Sequence, residues 1–324
     1  MNNFKSPEIS DETKIIVNDL WEKYTNIVVL GPAGSYPYDI RFRIYAYGGR
    51  IAGIPFNKNN DWLLLPDEKY KNYNDAGLKK YFDKKSELIN DKSELNNYII
   101  ELLQENTDNI IDEVIKAAEE KFSTEEKNPK ERAIQTKLVR KYLSKYVESG
   151  YIICDMEFCV PQSENTIGNK KSDFDLIIMD PKNGKLGIIE LKCNSDACGN
   201  KTGKSADLKA HLADMIACLS DPKYVRDNII YRYACLKKAG LISDALPKAE
   251  EINLDEVFCG FLFIDDGSKT LSTKKNVVVI CEKCFEDDIK YLEEEENKIR
   301  FLYADSVDDV DFTQMQSWVD FKKS

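Results

Sequence analysis

The central and C-terminal parts of the chain carry short apolar runs that are bounded by polar and turn residues. Runs of this length predict β-strands buried within a sheet. Pro181, Lys182, Asn183 and Gly184 separate the second run from the third, which predicts a β-hairpin. The runs are YIICDMEFCV (151–160), LIIM (176–179), LGIIEL (186–191), VFCGFLFID (257–265), NVVVIC (276–281) and IRFLYAD (299–305).

Two stretches flanking the hairpin have apolar residues at helical spacing. Upstream, Pro129 is a favourable first-turn residue and Gly150 a favourable stop, so residues 129–150 predict one helix. Downstream, residues 205–221 predict a second helix that packs on the sheet. The apolar positions are Ile134, Leu138, Tyr142 and Tyr146 in the first helix, and Leu208, Leu212, Met215, Ile216 and Leu219 in the second.

The first 125 residues predict a separate α+β unit. A helix from Glu12 to Tyr24 precedes the apolar stretches NIVVLGP, YDIRFRIYAY, RIAGIPF and DWLLLP, which indicate a β-meander with a glycine turn at Gly48-Gly49. A long, polar, helical region follows from Gly77 to Phe122. The hydrophilic segment from Ser123 to Pro129 predicts a hinge, and we therefore divide the chain into domains 1–125 and 126–324.

The hairpin brings charged residues to its open end. Strand side chains alternate between faces, so Asp173 and Asp175 share one face, as do Glu190 and Lys192. Two carboxylates and an ammonium are therefore expected to meet where the two strands open. Carboxylate and main-chain oxygens suit Mg²⁺, which predicts a site formed by Asp175, Glu190 and the main-chain carbonyl of Leu191.

These residues resemble the PD-(D/E)XK nuclease superfamily, in which an aspartate opens one core strand and Glu-x-Lys closes the next. Asp175, Glu190 and Lys192 match that pattern. The resemblance covers residues 127 to 305. It implies an α/β fold, a restriction-endonuclease-like αβββαβ core with a mixed central sheet, here joined to the N-terminal α+β unit. It also implies metal-dependent hydrolysis of phosphodiester bonds, in DNA more than in RNA, with Mg²⁺ or Mn²⁺ as cofactor.

The resemblance assigns roles to particular residues. Asp175, Glu190 and Lys192 are the expected catalytic residues. The literal Pro-Asp of the family is absent, which leaves Asp173 open as an alternative metal ligand, although the apolar run directly after Asp175 favours Asp175. Family members often carry a glutamate on the upstream helix, and Glu131 occupies that position here.

Charge is unevenly distributed along the chain. The whole protein has 46 Lys plus Arg against 57 Asp plus Glu, a net charge of −11, which argues against nonspecific coating of nucleic acid. Residues 127–238 contain 20 basic and 14 acidic residues. Phosphate binding requires such a local excess, although helix solvation explains it equally well. The expected nucleic-acid-binding residues are Lys137, Lys141, Lys204 and Lys209.

Several alternatives stay open. Glu190 and Lys192 could form a solvated ion pair at a strand end, or the fold could bind nucleic acid or a protein partner without catalysis. His211, the single histidine, is interpreted as a surface residue of the downstream helix. Cys281 and Cys284 have the spacing of metal ligands, but one pair alone is weak support for a structural metal.

The sequence also bears on location and partners. No segment has about 18 consecutive apolar residues, and the first residues, MNNFKSPEISDETK, lack the features of a secretory signal. Nine scattered cysteines fit reduced thiols. We therefore expect a cytoplasmic protein without a membrane partner. Whether it forms a homodimer stays open.

Overall fold

The computed structural model describes residues 7–32, 41–56, 76–88, 90–105, 110–122, 129–143, 146–148, 150–161, 171–193, 208–265, 271–294 and 296–323. The chain divides into two compact units. Unit 1 comprises Met1–Tyr146 and Tyr231–Ala245, and unit 2 comprises Val147–Ile230 and Leu246–Ser324. The predicted hinge from Ser123 to Asn128 and the DWLLLP stretch lie outside the described residues, and the domain limits at 125 and 126 stay a prediction.

Unit 1 combines an antiparallel three-stranded sheet with helices. Its elements are α1 (Asp11–Lys23), β1 (Ile27–Leu30), β2 (Arg41–Ala46), β3 (Gly49–Pro55), α2 (Ala76–Leu88), α3 (Lys92–Glu105), α4 (Ile110–Phe122) and α5 (Pro129–Tyr142). The strand order is β1-β2-β3. Ser10 caps α1 because its hydroxyl accepts a hydrogen bond from the Thr13 N–H at 3.2 Å.

The turn between β2 and β3 explains the glycine found there. Ala46 pairs with Gly49, which leaves a two-residue turn of Tyr47 and Gly48. Both residues have positive φ, 48° and 74°. Two-residue hairpin turns with this backbone match the right-handed twist of the strands and favour glycine at the second position. The predicted glycine turn is therefore confirmed, one residue earlier than expected.

Unit 2 is built on a mixed five-stranded sheet in the order β4-β5-β6-β7-β8. β4, β5 and β6 are antiparallel, whereas β6, β7 and β8 are parallel. The predicted α/β class with a mixed sheet is confirmed. Its elements are β4 (Ile152–Pro161), β5 (Lys171–Asp180), β6 (Lys185–Lys192), α6 (Leu208–Ser220), β7 (Glu256–Ile264), α8 (Lys274–Cys284), α9 (Ile289–Glu293), β8 (Ile299–Ala304) and α10 (Trp318–Lys323). Helix α7 (Lys223–Lys238) begins in unit 2, and its residues from Tyr231 onward belong to unit 1.

One predicted strand is wrong. NVVVIC forms part of α8, whose first turn is capped by Thr273 accepting a hydrogen bond from the Asn276 N–H at 3.2 Å. Val277 and Cys281 are buried four residues apart, whereas Val279 is 58% exposed. A short β-branched run by itself does not distinguish a strand from a helix. Here the segment follows a helix cap at Thr273 and forms a helix. α5 also ends at Tyr142, before the predicted stop at Gly150.

The core of unit 2 lies on both faces of its central strands. Ile188 and Phe261 face one side of the sheet and Ile189 and Leu262 the other, and all four are fully buried. Parallel strands covered on both faces are continuously apolar, which explains why these runs lack an alternating pattern. Among the described residues, no helix combines the length and apolarity needed to cross a membrane.

The backbone of the turn between β5 and β6 predicts how a substitution of its glycine changes the stability of the fold. Gly184 has a φ of 67°, and a Cβ at this position would overlap the main-chain oxygen of Asn253. Gly184→Ala is therefore expected to lower the free energy of unfolding by about 2–4 kcal/mol, the sum of left-handed strain and overpacking. Urea denaturation measures this change.

Gly150 provides the matched control for that substitution. Its φ is 78°, but a Cβ there would meet nothing within 4 Å. Gly150→Ala should therefore cost only the backbone strain, about 1–2 kcal/mol. Equal losses in the two variants would contradict the close approach of Asn253 to the turn.

Candidate active site

The site lies where β5 and β6 separate. The paired positions of the hairpin run from Asp180 opposite Lys185 to Leu176 opposite Ile189, and Asp175 and Glu190 stand one step further. There, Asp175 Oδ2 accepts a hydrogen bond from the Leu191 N–H at 2.7 Å. A carboxylate thus binds the main-chain group of β6 where the strand pairing ends.

Leu191 also directs an oxygen toward this point. In an extended strand, the N–H and C=O of one residue point to the same neighbour. Because the Leu191 N–H points to Asp175, the Leu191 carbonyl is directed to the same side of β6. A metal-binding role for the Leu191 carbonyl stays a prediction.

Glu190 and Lys192 form a buried ion pair. Lys192 Nζ donates to Glu190 Oε1 at 2.6 Å, and each side chain is 4% exposed. The interpretation as a solvated ion pair at a strand end is therefore wrong. Moving both charges out of water is costly, and the close contact offsets that cost only while both partners are present.

Asp175 is held in an environment that disfavours its charge. Burial raises the pKa of Asp175 from its ordinary value of 3.8 to about 6, and the Glu157 carboxylate adds to the rise. The Lys192 ammonium, the hydrogen bond from Leu191 and a hydrogen bond with Glu190 act in the opposite direction. Asp175 and Glu190 are thus close enough to interact directly.

Glu157 is a site neighbour that the sequence did not single out. It lies between Met156 and Phe158, which pair with Leu176 and Phe174. Glu157 is therefore directly opposite Asp175 on the neighbouring strand, β5. Its φ is 53°, a left-handed conformation that is strained for residues other than glycine. Strained backbone of this kind often accompanies functional sites. An acidic residue within an apolar strand was the available sequence signal.

His211 also belongs to this site, which corrects its interpretation as a surface residue. Its side chain, on α6, is 16% exposed, and Nε2 lies 3.1 Å from Glu190 Oε1. Burial and the Lys192 ammonium lower the pKa of His211 to about 4, so the imidazole is neutral near pH 7. The sequence contained a signal for this position, because the spacing of His211 from Leu208, Leu212 and Met215 places it beside the apolar face of α6. The polar residues on its other side favoured the interpretation as a surface residue.

The remaining predicted metal ligands are Asp173 and Glu131. Asp173 is exposed and pairs with Cys159, two residues before Asp175 on the same face of β5. Glu131 lies in α5, which belongs to unit 1, whereas the hairpin belongs to unit 2. A metal-binding role for either residue stays a prediction.

The predicted phosphate contacts fall into three groups. Lys137 and Lys141 are exposed residues of α5 in unit 1. Lys209 lies on α6 of unit 2, where its ammonium forms an exposed ion pair with Asp287 at 2.6 Å. Lys204 lies outside the described residues. Nucleic-acid binding by these four lysines stays a prediction.

The donor set at the hairpin fits a hard cation better than a soft one. Within the parts of the chain that are described, no three His, Cys, Asp or Glu side chains are grouped as metal ligands. Mg²⁺ needs only one or two carboxylates, with waters and substrate phosphate completing its shell, whereas structural zinc needs a closed protein set. Asp175 and Glu190, whose carboxyls interact, meet the first requirement.

Cys281 and Cys284 lie three residues apart in α8. Cys281 is buried and Cys284 is partly exposed. They belong to no ligand group of three or more in the described residues. A structural metal at this pair has no support beyond the spacing.

Comparison with known proteins identifies no relative. No family model matches the chain, no curated protein matches it, and no solved structure matches it. Function is therefore inferred from the chain's own residues and their geometry.

The pKa of Asp175 predicts a pH-dependent gain in stability when its charge is removed. Because the folded-state pKa is about 6 and the ordinary value is 3.8, ionised Asp175 destabilises the fold above pH 6, and this cost disappears below pH 3.8. Asp175→Asn removes the charge and keeps an oxygen for the Leu191 N–H. In EDTA at pH 8, it should raise the free energy of unfolding by about 1–3 kcal/mol.

The control for this prediction is Asp173→Asn, the same change at an exposed position of β5. It should alter stability by less than about 0.5 kcal/mol. The gain from Asp175→Asn should shrink as the pH falls toward 4. A gain that is equal at pH 4 and pH 8 would show that the charge of Asp175 is not its cause.

Proposed function

We propose that the protein is a nuclease that hydrolyses phosphodiester bonds in DNA, with Mg²⁺ or Mn²⁺ held at the open end of the hairpin. The observation that carries this proposal is the buried Glu190–Lys192 pair beside Asp175. Asp175 and Glu190 lie one residue beyond the last paired residues of the hairpin, where Asp175 binds the Leu191 N–H and Glu190 binds the Lys192 ammonium. A purely structural ion pair does not require a neighbouring aspartate whose pKa is raised by burial.

The residues would divide the work as follows. Asp175, Glu190 and the Leu191 carbonyl would hold the cation, which when bound supplies Lewis-acid polarisation of the phosphoryl oxygen and a more acidic water. Lys192 would donate hydrogen bonds to the attacking water and to the charge that develops on the phosphate. The burial of Glu190 and Lys192 strengthens these interactions because it excludes water from the charged groups.

The finer fold assignment is also part of the proposal. We infer a restriction-endonuclease-like core in which β4, β5 and β6 are antiparallel and β7 is reached through α6 and α7. The helix before β4 in the chain is α5. What supports this inference is the order of elements, a helix, three strands, two helices and a strand, together with the position of Glu190 and Lys192 at the end of β6.

A substrate panel tests the proposed activity. The purified protein is incubated with labelled single-stranded DNA, double-stranded DNA and RNA, in Mg²⁺, Mn²⁺ or EDTA. The proposal expects cleavage of DNA that requires the metal. Metal-independent binding without cleavage of any substrate would favour the alternative, a nuclease fold that binds nucleic acid without catalysis. Neither binding nor cleavage would leave a protein-binding role.

Metal-dependent thermal stabilisation provides a second test. A cation that binds only the folded state at 100 times its Kd adds about 2.7 kcal/mol to stability. Mg²⁺ or Mn²⁺ should therefore raise the Tm of the wild type, and Glu190→Gln should lose most of this shift. Glu256→Gln changes an exposed carboxylate near the opposite end of the β6–β7 pair and should keep it. Equal shifts in all three proteins would place the metal elsewhere.

A further inference from the structure

Two side chains approach the same oxygen of Glu190. Lys192 Nζ lies 2.6 Å from Glu190 Oε1, and His211 Nε2 lies 3.1 Å from that atom. Lys192 is on the same strand as Glu190, whereas His211 comes from α6, about 20 residues further along the chain. The carboxylate is thus approached from its own strand and from a helix that covers the sheet.

α6 is well placed to hold its histidine still. His211 lies beside the apolar face formed by Leu208, Leu212 and Met215, all of which are buried. The Met215 carbonyl accepts a hydrogen bond from the Cys259 thiol of β7 at 3.7 Å, which joins the helix to the sheet. The helix that carries His211 is therefore fixed against the sheet that carries Glu190.

The proposed function creates a need for this second contact. Lys192 donates to Glu190 in the present structure, yet it must turn toward the attacking water and the phosphate during the reaction. A carboxylate that is 4% exposed is strongly destabilised when a cationic partner leaves it. A hydrogen-bond donor that stays in place on α6 would hold Glu190 while Lys192 turns away.

We propose that His211 is a positioning residue, whose Nε2–H donates to Glu190 Oε1 and keeps this carboxylate in place when Lys192 turns to the substrate. The inference rests on the proposed function and deepens it. In the neutral imidazole with a proton on Nε2, Nδ1 carries no proton. Groups that hold metal-binding carboxylates in this way contribute about 10–100-fold to metal affinity or activity.

The first test uses the fact that the chain has a single histidine. Nitrogen-15 NMR of the metal-free protein, prepared without a histidine tag, reports which imidazole nitrogen carries the proton. The expected result is the Nε2–H form, with a resonance that shifts in Glu190→Gln and not in Glu256→Gln. The Nδ1–H form, or a resonance that does not shift in Glu190→Gln, would overturn the proposal.

The second test compares two substitutions of His211. The amide of Gln can donate from about the position of the imidazole Nε2, whereas Leu fills similar space without a donor. His211→Leu is expected to weaken Mn²⁺ binding, measured by calorimetry, and to lower kcat by about 10–100-fold. The KM for DNA should change little, and His211→Gln should recover most of both losses.

The outcomes separate this inference from the proposed function. Equal losses in His211→Leu and His211→Gln would indicate a role in packing alone and would overturn the positioning role. A wild type that cleaves DNA, with both variants unaffected, would also overturn it while leaving the proposed function intact. If the wild type cleaves nothing, the proposed function fails, and the NMR result decides whether His211 holds Glu190.

Discussion

Lys192→Met is expected to lower the free energy of unfolding by about 3–5 kcal/mol in metal-free buffer. The substitution keeps most of the volume of the side chain but removes the ammonium that contacts Glu190 Oε1 at 2.6 Å. Glu190 is then left as a buried charge without the ammonium, and the imidazole of His211 lies 3.1 Å from the same oxygen. Urea denaturation in EDTA at pH 8 measures the loss.

The same strand provides the control for this prediction. Lys185 at the other end of β6 forms an ion pair with Glu256 at 3.3 Å, and these side chains are 40% and 53% exposed. Lys185→Met should change stability by less than about 1 kcal/mol because water solvates the charge left behind. The double variant Glu190→Gln with Lys192→Met should recover most of the lost stability. Failure of that recovery would contradict the buried pair as its cause.

Glu190→Gln is expected to reduce the rate of DNA cleavage by about 10³-fold, the scale on which groups that stabilise transition-state charge act. The amide retains the size of the side chain and can still accept a hydrogen bond from Lys192. It lacks the negative charge that a divalent cation requires. Single-turnover cleavage at saturating protein measures the rate of the chemical step free of product release.

Two comparisons make the loss of cleavage specific. Glu256→Gln is the same chemical change at an exposed position and should cleave at the wild-type rate. Circular dichroism and urea denaturation should show that Glu190→Gln is folded under the assay conditions. A folded Glu190→Gln that retains the wild-type rate would remove this carboxylate from the reaction.

Sequence patterns predicted the hairpin and its charged end because both depend on local rules. The alternation of strand side chains places Glu190 and Lys192 on one face, and the structure joins them at 2.6 Å. The Pro-Lys-Asn-Gly turn between two apolar runs predicted that the second strand brings Glu190 back beside Asp175. The hydrogen bond from the Leu191 N–H to Asp175 confirms that juxtaposition.

Residues that act across longer distances could not be assigned in this way. The approach of His211 to Glu190 depends on how α6 lies on the sheet, and helical spacing alone does not state which strand it covers. The effect of Glu157 on Asp175 depends on the register of β4 against β5, which includes an irregularity after Ile153. Tertiary packing therefore supplied the part of the site that the motif lacks.

Burial was the other quantity that the sequence left open. A Glu-x-Lys triplet at a strand end is compatible with a solvated ion pair, and only the cover provided by the surrounding fold excludes water from it. The 4% exposure of both side chains changes the expected cost of breaking the pair from less than about 1 to about 3–5 kcal/mol. The sequence patterns also did not predict helix α7.

The most direct measurement of the central claim is single-turnover cleavage of double-stranded DNA as Mn²⁺ is titrated, with the wild type, Glu190→Gln and Glu256→Gln side by side. The proposed site predicts a saturable, metal-dependent rate in the wild type and in Glu256→Gln, and a loss of about 10³-fold in Glu190→Gln. Cleavage that needs no divalent cation, or that survives unchanged in Glu190→Gln, would contradict a metal-dependent nuclease centre at this hairpin.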